Sequence, residues 1–190
     1  MKKLVLASAS PRRREILSSL LVPFEVRVSN ADENIDTCVD VYDIPKLLAE
    51  RKALNVDMDE NEIIIGCDTV VIYNNEIFGK PKNRENSIKM LEIFSGKSHD
   101  VVSGICVRTK EKIYSESQKT TVYFKHLSPK EILHYVDAQK PFDKAGAYGI
   151  QEMAGAFVEK IDGDFYNVVG LPICRLCEIL EKEFGINLLI

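Results

Sequence analysis

The sequence predicts an α/β protein, with a mixed β-sheet flanked by helices, as a single domain over residues 1–190. Short β-branched runs such as residues 63–65 mix with stretches of helical periodicity. The two do not alternate strictly, so an α+β arrangement stays open. No repeat, low-complexity tract or Pro/Gly-rich linker divides the chain, and 190 residues is an ordinary domain length. Hydrophobic residues make up 45% and charged residues 28%, which is typical of a globular protein.

In the first half of the chain, apolar runs and turn residues define the predicted elements. Ser10 and Pro11 begin a helix, because serine caps a helix N-terminus and proline is tolerated at the first helical position. Asn74 and Asn75 form a hairpin turn between two short strands. The strands predicted here are at residues 4–7, 24–28, 63–65, 70–73 and 76–78. One helix begins at residue 10, a second covers about 44–55, and a polar loop covers 29–36.

In the second half, caps and glycines set the predicted bounds. Ser128 and Glu131 form a capping box, with Pro129 at the first helical position. Gly96 and Gly185 each follow the end of a helix. The elements predicted here are helices over about 85–94, 128–137 and 171–185, strands at 99–108, 112–125 and 157–161, and a tightly packed Gly- and Ala-rich segment over 140–151.

Charge and cysteine usage exclude several classes of protein. The formal net charge of −4 argues against a general binder of nucleic acid or of a membrane surface, which normally carries a basic excess. No apolar run approaches the roughly 18 residues of a membrane span, and residues 4–7 are too few for a secretion signal. We therefore expect a cytoplasmic protein. Five scattered cysteines do not form a disulfide framework, and Cys174 and Cys177 are predicted as buried thiols on one apolar helix face.

Residues 7–14 are the first candidate for function. A strand leads here into a helix N-terminus, where N–H groups without helical partners and the helix dipole favour an anion. Arg12 and Arg13 in the first turn disfavour the helix, so a bound polyphosphate would account for them. A solvated basic turn is the alternative. Ser8 and Ser10 lack the GxSxG context of a serine hydrolase.

The second candidate is Asp68, in the segment Gly66-Cys67-Asp68-Thr69 that directly follows the β-branched run at residues 63–65. If that strand ends there, Asp68 lies at the carboxyl end of a central strand, where open sheets place their ligands. An aspartate in this position can bind Mg²⁺, orient a water or accept its proton. A structural aspartate at a strand end is the alternative.

Two further segments are weaker taken alone. Lys80 follows a glycine at the end of the predicted hairpin and could reach a phosphate, although no Walker A motif is present. Gln151 closes a stretch of small residues that would allow close approach of backbone, and its amide can both donate to and accept from a base edge. The three histidines are scattered and lack the spacing of a metal site.

Taken in order, these segments resemble the Maf family of nucleotide pyrophosphatases. Each motif alone is weak, but six in order at natural spacing are specific, and they extend over nearly the whole chain. The motifs are SASPRR at residues 8–13, GCDTVV at 66–71, GKP at 79–81, SGKSHDVVSG at 95–104, DKAGAYGIQ at 143–151 and YNVVGLP at 166–172.

The resemblance implies a fold and a reaction. The fold would be elongated, with two lobes and a central cleft, similar to that of inosine triphosphate pyrophosphatases of the Maf/Ham type. A nucleoside triphosphate and water would give the monophosphate and pyrophosphate, with Mg²⁺ or Mn²⁺ as cofactor. The resemblance further suggests a homodimer, and no nucleic-acid or membrane partner is expected.

The resemblance also implies roles for individual residues. Asp68, in the GxDT motif, would be the proton acceptor and would bind the metal together with Glu33. Asp32 and Asp36 lie close to Glu33 in sequence and are alternatives to it. The remaining assignments are Arg12, Thr69 and Gln151 for substrate choice, and Ser8, Arg13, Lys52 and Lys80 for phosphate binding.

The YGIQ form of the motif at residues 148–151 resembles the branch that hydrolyses dTTP and UTP. The expected function is therefore hydrolysis of the α–β phosphate bond of these nucleotides, or a house-cleaning activity on modified pyrimidine nucleotides. One alternative is a pyrophosphatase for other modified nucleotides such as 7-methyl-GTP. Another is a non-catalytic, nucleotide-binding regulator of septum formation, which would have no need for Asp68. The last is a plain α/β domain whose motif residues are structural.

Overall fold

A computed structural model describes residues 2–34 and 38–190, and these residues form one seven-stranded sheet and six α-helices. The predicted α/β class, with a mixed sheet and flanking helices, is confirmed. The strands are β1 (Lys3–Leu6), β2 (Phe24–Val26), β3 (Glu62–Tyr73), β4 (Glu76–Phe78), β5 (Ser98–Arg108), β6 (Ile113–Phe124) and β7 (Val158–Asp162). The helices are α1 (Pro11–Ser18), α2 (Ile44–Leu54), α3 (Arg84–Phe94), α4 (Pro129–Gln139), α5 (Phe165–Val169) and α6 (Ile173–Phe184).

The sheet has the strand order β2-β1-β3-β5-β6-β7, and β4 pairs with β3 away from this path. β1 is parallel to both of its neighbours, with Leu4 opposite Phe24 on β2 and Ile63 on β3. β4 is antiparallel to β3, and β7 is antiparallel to β6. Parallel pairs therefore lie at one end of the strand order and an antiparallel pair at the other.

The chain forms two compact units, each assembled from separated stretches. Unit 1 contains Met1–Asp68, Ser103–Gln118 and Gly170–Ile190, and unit 2 contains Thr69–Val102 and Lys119–Val169. Strands β3, β5 and β6 contribute residues to both units, so no single boundary in the sequence separates them. Within the described ranges, no helix is both long and apolar enough to cross a membrane.

In unit 1, helix α2 packs unusually close to the sheet. A Cβ atom added at Gly66 of β3 would lie 2.2 Å from the Ala49 carbonyl oxygen, and one at Gly104 of β5 would lie 2.0 Å from that of Pro45. Both contacts are far shorter than van der Waals distance, so only glycine fits. Ala49 and Ala53 complete the contact with small side chains that are fully buried. Small residues on helix and sheet thus set the position of every side chain on α2.

The core of unit 2 is rich in aromatic rings. Phe94, Phe124 and Tyr148 surround the imidazole of His99, with ring centroids 4.4, 4.9 and 5.4 Å from it. His99 is only 3% exposed, and its Nε2 atom lies 2.8 Å from the Tyr148 hydroxyl oxygen. Burial, opposed only in part by Asp100, lowers the pKa of His99 from 6.5 to about 4, so the ring is neutral near pH 7.

Most local predictions agree with the structure. Ser10 lies at the N-cap of α1 with Pro11 next to it, and Ser128 and Glu131 form the predicted capping box of α4. Asn74 and Asn75 form the β3–β4 turn with φ of 50° and 63°, the left-handed conformation that a tight hairpin requires. The predicted loop at residues 29–36 is irregular up to residue 34, and its last two residues lie outside the described part of the chain.

The prediction that a strand ends before Asp68 is wrong. Residues 63–65 and 70–73, predicted as two strands, belong to the single twelve-residue strand β3, and Asp68 lies in its interior. Gly66, which lies between the two predicted strands, accommodates α2 against the sheet. The Asp68 side chain is therefore held by a continuous strand and is 12% exposed.

Two further predictions need correction in the last third of the chain. Cys174 is exposed and Cys177 is half-buried, so they are not the buried pair that their spacing indicated. The inward face of α6 is formed by Leu176, Ile179 and Leu180, which leaves Cys174 on the other side. The short helix α5 was not predicted, because its five residues are too few for a periodic pattern.

We expect Gly66→Ala to destabilise the protein severely. The new methyl group would overlap the Ala49 carbonyl and force α2 away from the sheet, which should lower the free energy of unfolding by about 3 kcal/mol or more. Thermal or urea unfolding measures the change. Gly79→Ala is the matched control, because a Cβ there meets nothing within 4 Å. Similar stabilities for the two variants would contradict the close packing of α2.

We also expect stability to fall as the pH drops from 7 to 5. The unfolded chain takes up a proton at His99 near pH 6.5, whereas the folded chain does so only near pH 4. The free energy of unfolding therefore carries no penalty from His99 above pH 6.5. As the pH falls toward 4 the penalty grows, and it lowers the free energy of unfolding by about 2 kcal/mol between pH 7 and 5. Urea unfolding at several pH values measures it. His99→Gln should flatten this part of the profile, and an unchanged slope would disprove the assignment to His99.

Candidate active site

The turn between β1 and α1 is built around Arg13, which is almost fully buried. Its Nε atom donates a hydrogen bond to the Gly170 carbonyl oxygen at 2.8 Å, and its Nη1 atom donates to the Ser8 hydroxyl at 3.1 Å. Ser8 also accepts from the Ser10 backbone N–H at 3.3 Å. Ser10 has the N-cap position, but its side chain makes no capping hydrogen bond. Ser8 and Arg13, both predicted to bind phosphate, are thus brought together at the N-terminus of α1.

Gly170 links this turn to the opposite end of the sequence. Its φ of 126° favours glycine, and it lies in the YNVVGLP segment just before α6. Its carbonyl oxygen accepts from Arg13 and also from the Cys67 thiol, at 3.2 Å. Burial raises the pKa of Cys67, which keeps the thiol protonated and able to donate. The residue just before Asp68 and the α1 arginine are therefore tied to one backbone atom.

Lys52 joins the two predicted acidic residues of the site. Its Nζ atom lies 2.6 Å from the Asp68 Oδ1 atom and 2.7 Å from the Glu33 Oε1 atom. The side chains of Lys52 and Asp68 are 14% and 12% exposed, whereas that of Glu33 is 65% exposed. Burial acts to lower the pKa of Lys52, but the Asp68 and Glu33 carboxylates outweigh burial and raise it. The ammonium therefore stays charged between two carboxylates.

The loop that carries Glu33 is fastened to helix α2. The Asn55 side-chain oxygen accepts from the Asn30 backbone N–H at 3.1 Å, and Arg51 donates to the carbonyl oxygens of Asp32 and Asn34. The Asp32 carboxylate accepts from the backbone and side-chain N–H groups of Asn34, at 3.0 and 2.7 Å. In this arrangement Glu33 faces Lys52 and Asp32 closes a local turn. Asp36, the other alternative, lies outside the described residues.

The acidic residues near Lys52 suit a hard divalent cation. Within the described ranges, no group of three or more His, Cys, Asp or Glu side chains is arranged to hold a metal. Magnesium usually needs only one or two carboxylates, because water and substrate phosphates complete its coordination. Glu33 and Asp68 supply two carboxylates that already converge on one positive charge, the Lys52 ammonium. The donor set therefore fits Mg²⁺ or Mn²⁺.

In unit 2, the segments that carry Lys80 and Gln151 are bonded to each other. The Gly146 backbone N–H donates to the Gly79 carbonyl oxygen at 3.1 Å. Gly146 has a φ of 66°, and a Cβ there would lie 3.0 Å from the Val71 side chain. Lys80 and Gln151 are both exposed, so their functional groups are accessible to a ligand. The GKP turn and the DKAGAYGIQ segment thus form one connected structure.

Lys144 packs against the backbone that leads to Gln151. The Lys144 ammonium lies 2.9 Å from the Asp143 carboxylate and 3.3 Å from that of Glu152, and its side chain is only 9% exposed. A Cβ at Gly149 would lie 2.9 Å from the Lys144 Cε atom, so the lysine stem packs directly on this glycine. Sequence reasoning gave Lys144 no role, since a buried lysine is rare and only its three-dimensional partners reveal it.

Comparison with known proteins identifies the family of the chain. The model of the family described as "Maf-like protein" matches residues 3–183. The chain belongs to this family. The Maf-like resemblance seen in the motifs is thereby confirmed over nearly the whole sequence.

Several curated proteins are similar to this Maf-like chain along their full length. A protein of Alkaliphilus oremlandii named "dTTP/UTP pyrophosphatase" is 50% identical over 194 residues, with 100% of both chains covered. Proteins of the same name from Thermosipho africanus and Bacillus cereus are 47% and 45% identical. These two alignments cover 94% and 98% of this chain, and 92% and 98% of the relatives.

Two solved structures are more distantly similar. The Ham1 protein of Staphylococcus aureus aligns with a TM-score of 0.45 and 14% identity, covering 65% of this chain and 72% of that one. A nucleoside-triphosphatase, dITP/XTP pyrophosphatase, of Mycobacterium abscessus aligns with a TM-score of 0.40 and 13% identity, covering 66% and 75%.

The structure brings together many, but not all, of the residues that sequence reasoning singled out. In unit 1, Lys52 pairs with both Glu33 and Asp68, and Arg13 contacts Ser8. Arg12 is half-buried in the first turn of α1, and Thr69 is the first residue of unit 2 and half-buried in β3. Sequence reasoning missed Cys67, Gly170, His99 and Tyr148 as supports of the site, because their partners are distant in sequence. It missed Lys144 because only the structure shows that this lysine is buried between Asp143 and Glu152.

We expect Arg13→Lys to lower the free energy of unfolding by about 1–3 kcal/mol. A lysine has one nitrogen at its tip, so it cannot place donors at both the Nε position facing the Gly170 carbonyl and the Nη1 position facing the Ser8 hydroxyl. Urea unfolding measures the loss. Arg14→Lys, on the exposed side of the same helix, should change stability by no more than about 0.5 kcal/mol. Equal effects at the two positions would refute a structural role for Arg13.

Proposed function

We propose that this Maf-like protein is a nucleoside triphosphate pyrophosphatase. It hydrolyses the α–β phosphate bond of dTTP and UTP, and of related modified pyrimidine nucleotides, to the monophosphate and pyrophosphate. The observation that carries the proposal is the contact of the largely buried Asp68 carboxylate with the Lys52 ammonium. The same unit also presents Arg13 and Ser8 at a helix N-terminus. The names of relatives at 45–50% identity over nearly their full length support the same substrates.

Asp68 is the proposed general base. Its carboxylate would take a proton from a water as the water oxygen attacks the α-phosphorus. The bond from the α-phosphorus to the α–β bridging oxygen then breaks, and pyrophosphate leaves. A positioned general base contributes typically about 10²–10⁴-fold to the rate. The strand interior suits this role, because β3 and the Lys52 hydrogen bond hold the carboxylate in one orientation.

Cationic side chains would bind the triphosphate and stabilise the leaving group. Lys52 and Arg13 in unit 1 and Lys80 in unit 2 are the proposed phosphate ligands, with Ser8 as a hydroxyl contact. The helix N-terminus at Pro11 adds N–H groups oriented toward an anion. Charge accumulates on the pyrophosphate as the bond breaks, and fixed positive groups are usually the largest contribution to catalysis of this kind.

A divalent cation, Mg²⁺ or Mn²⁺, is the proposed cofactor, with Glu33 and Asp68 as its protein ligands. Bound there, it would neutralise phosphate charge and complete its coordination with phosphate oxygens and water. Lys52 already bridges these carboxylates, so it would hold Glu33 and Asp68 close together before the cation arrives.

Arg12, Thr69 and Gln151 are the proposed specificity residues. The Gln151 amide has both a donor and an acceptor and can match the edge of a thymine or uracil ring. A base with the opposite pattern would leave these groups unpaired, which is how a site rejects a near-isosteric ligand. We also propose that residues 1–190 act as one domain, as a homodimer in the cytoplasm, without nucleic-acid or membrane partners. The family resemblance and the net charge of −4 support this view.

A nucleotide panel tests the proposal. The protein is incubated with dTTP, UTP, CTP, GTP, 7-methyl-GTP and ITP, each with Mg²⁺, with Mn²⁺ or with EDTA, and monophosphate and pyrophosphate are measured. We expect selective release from dTTP and UTP that needs the metal. Release of orthophosphate in place of pyrophosphate would refute the assignment of the α–β bond. Selective release of pyrophosphate from 7-methyl-GTP would show that the substrate is a modified purine nucleotide and not dTTP or UTP. Tight binding without any release would favour a nucleotide-binding regulator.

We expect Asp68→Asn to lower turnover by about 10²-fold or more while the protein still binds nucleotide. The amide cannot accept the proton of the attacking water. Turnover is measured with dTTP, and binding with a dTTP analogue whose α–β bridging oxygen is replaced by a methylene group.

Asp40→Asn is the matched control. Asp40 is exposed in unit 1, and its Oδ1 atom accepts from the Tyr42 backbone N–H at 2.9 Å, a contact that asparagine preserves. This variant should keep its turnover. Near-normal turnover in Asp68→Asn would remove Asp68 as the base.

A further inference from the structure

The pair formed by His99 and Tyr148 is an unexpected feature of the unit 2 core. Both side chains are nearly inaccessible, at 3% and 6% exposed, and their polar atoms lie 2.8 Å apart among aromatic rings. In the described part of the chain, the other ring nitrogen of His99, Nδ1, has no hydrogen-bond partner. An unpaired polar atom in such surroundings costs about 1–3 kcal/mol in stability.

A gain in the free energy of unfolding therefore does not explain why a histidine and a tyrosine are paired at these two core positions. An apolar ring at position 99 would fill the same space between Phe94 and Phe124 without an unpaired nitrogen. What an apolar ring cannot do is fix the Tyr148 hydroxyl. Aromatic contacts tolerate sliding of one ring over another, whereas a hydrogen bond inside an apolar core has one favourable geometry. The pair thus specifies where Tyr148 sits.

Tyr148 stands three residues before Gln151 in the segment that leads out of the core. Gly149 lies between them and packs on the Lys144 stem, so this stretch has little room to adjust. Upstream, Ala147 has a φ of 62°, which a non-glycine residue adopts only when its surroundings hold it there. A shift of the Tyr148 ring would therefore be passed along the backbone to the exposed Gln151 side chain.

We propose that His99 is a positioning residue for base selectivity: by bonding the Tyr148 hydroxyl, it fixes the backbone that presents Gln151 to the pyrimidine ring. The inference rests on the proposed function, in which Gln151 contacts the base. His99 itself touches no substrate and acts only through Tyr148. A merely structural histidine would change stability without changing which nucleotide is preferred.

The test compares base selectivity with stability in a set of variants. Selectivity is the ratio of kcat/KM for dTTP to that for dCTP, two substrates that differ at the base edge. His99→Leu and Tyr148→Phe should each lower this ratio about tenfold or more, because small displacements of a recognition group have large effects. The double variant should lose no more than either single one, since both remove the same hydrogen bond. His99→Gln, whose amide can replace Nε2 as a partner, should restore most of the ratio.

Two controls separate positioning from general damage. Thr120→Val removes a buried hydroxyl of unit 2 that bonds Asn167 and Asp164, away from the Gln151 segment. It should lower the melting temperature and leave the ratio unchanged. In a Gln151→Ala background, His99→Leu should have no further effect on the ratio. An unchanged ratio in Tyr148→Phe and His99→Leu, or an equal loss in Thr120→Val, would overturn the proposal.

The same experiment keeps this inference distinct from the proposed function. If the wild type hydrolyses dTTP and the variants keep its selectivity, the inference fails and the function stands. If the wild type hydrolyses neither nucleotide, the function fails. Selectivity is then measured as the Kd of the α,β-methylene analogue of dCTP divided by the Kd of the corresponding dTTP analogue. A lower binding ratio in His99→Leu and Tyr148→Phe would still support the positioning role, and an unchanged one would reject it.

Discussion

The contact of helix α2 with the sheet at Gly66 and Gly104 sets the geometry on which unit 1 depends. Because no side chain separates the backbones, the helix has one permitted distance from β3. Lys52 projects from that helix and Asp68 from that strand, so their 2.6 Å contact follows from the packing of the backbone. The energy of the pair is secondary, since burying two charges costs much of what their attraction returns. The small residues of the core therefore determine the arrangement of the charges.

Atoms far apart in the sequence meet at the Gly170 carbonyl. It accepts from Arg13 near the beginning of the chain and from Cys67 in the middle strand. Two independent donors on one acceptor restrict the relative position of α1 and β3 more strongly than apolar contacts could. The YNVVGLP segment thus has a structural reason to accompany the SASPRR and GCDTVV segments, apart from any contact with a ligand.

Local signals in the sequence were sufficient for the elements with caps and turns, such as the Ser128 capping box and the Asn74–Asn75 hairpin, because these depend on neighbouring residues alone. They failed at Gly66, where a residue that often breaks a strand serves a close helix contact instead. They failed again at Cys174, since a rotation of the helix by part of a turn decides which residues face the core. For the site, the GxDT motif predicted Asp68 and the family resemblance predicted Lys52. The support from His99 depends on Tyr148, a partner that no short pattern contains, and the burial of Lys144 depends on the fold around it.

The interleaving of the two units has a consequence for synthesis on the ribosome. Unit 2 ends at Val169, so all of its residues have been made before the last twenty-one of the chain. Unit 1 contains both the first strand and Gly170–Ile190, and Arg13 must wait for the Gly170 carbonyl, which is made after all of unit 2. The Arg13 side chain in the N-terminal segment therefore remains without this partner until unit 2 has been made. Chaperones that shield exposed apolar segments should accordingly matter more for β1 and α1 than for unit 2.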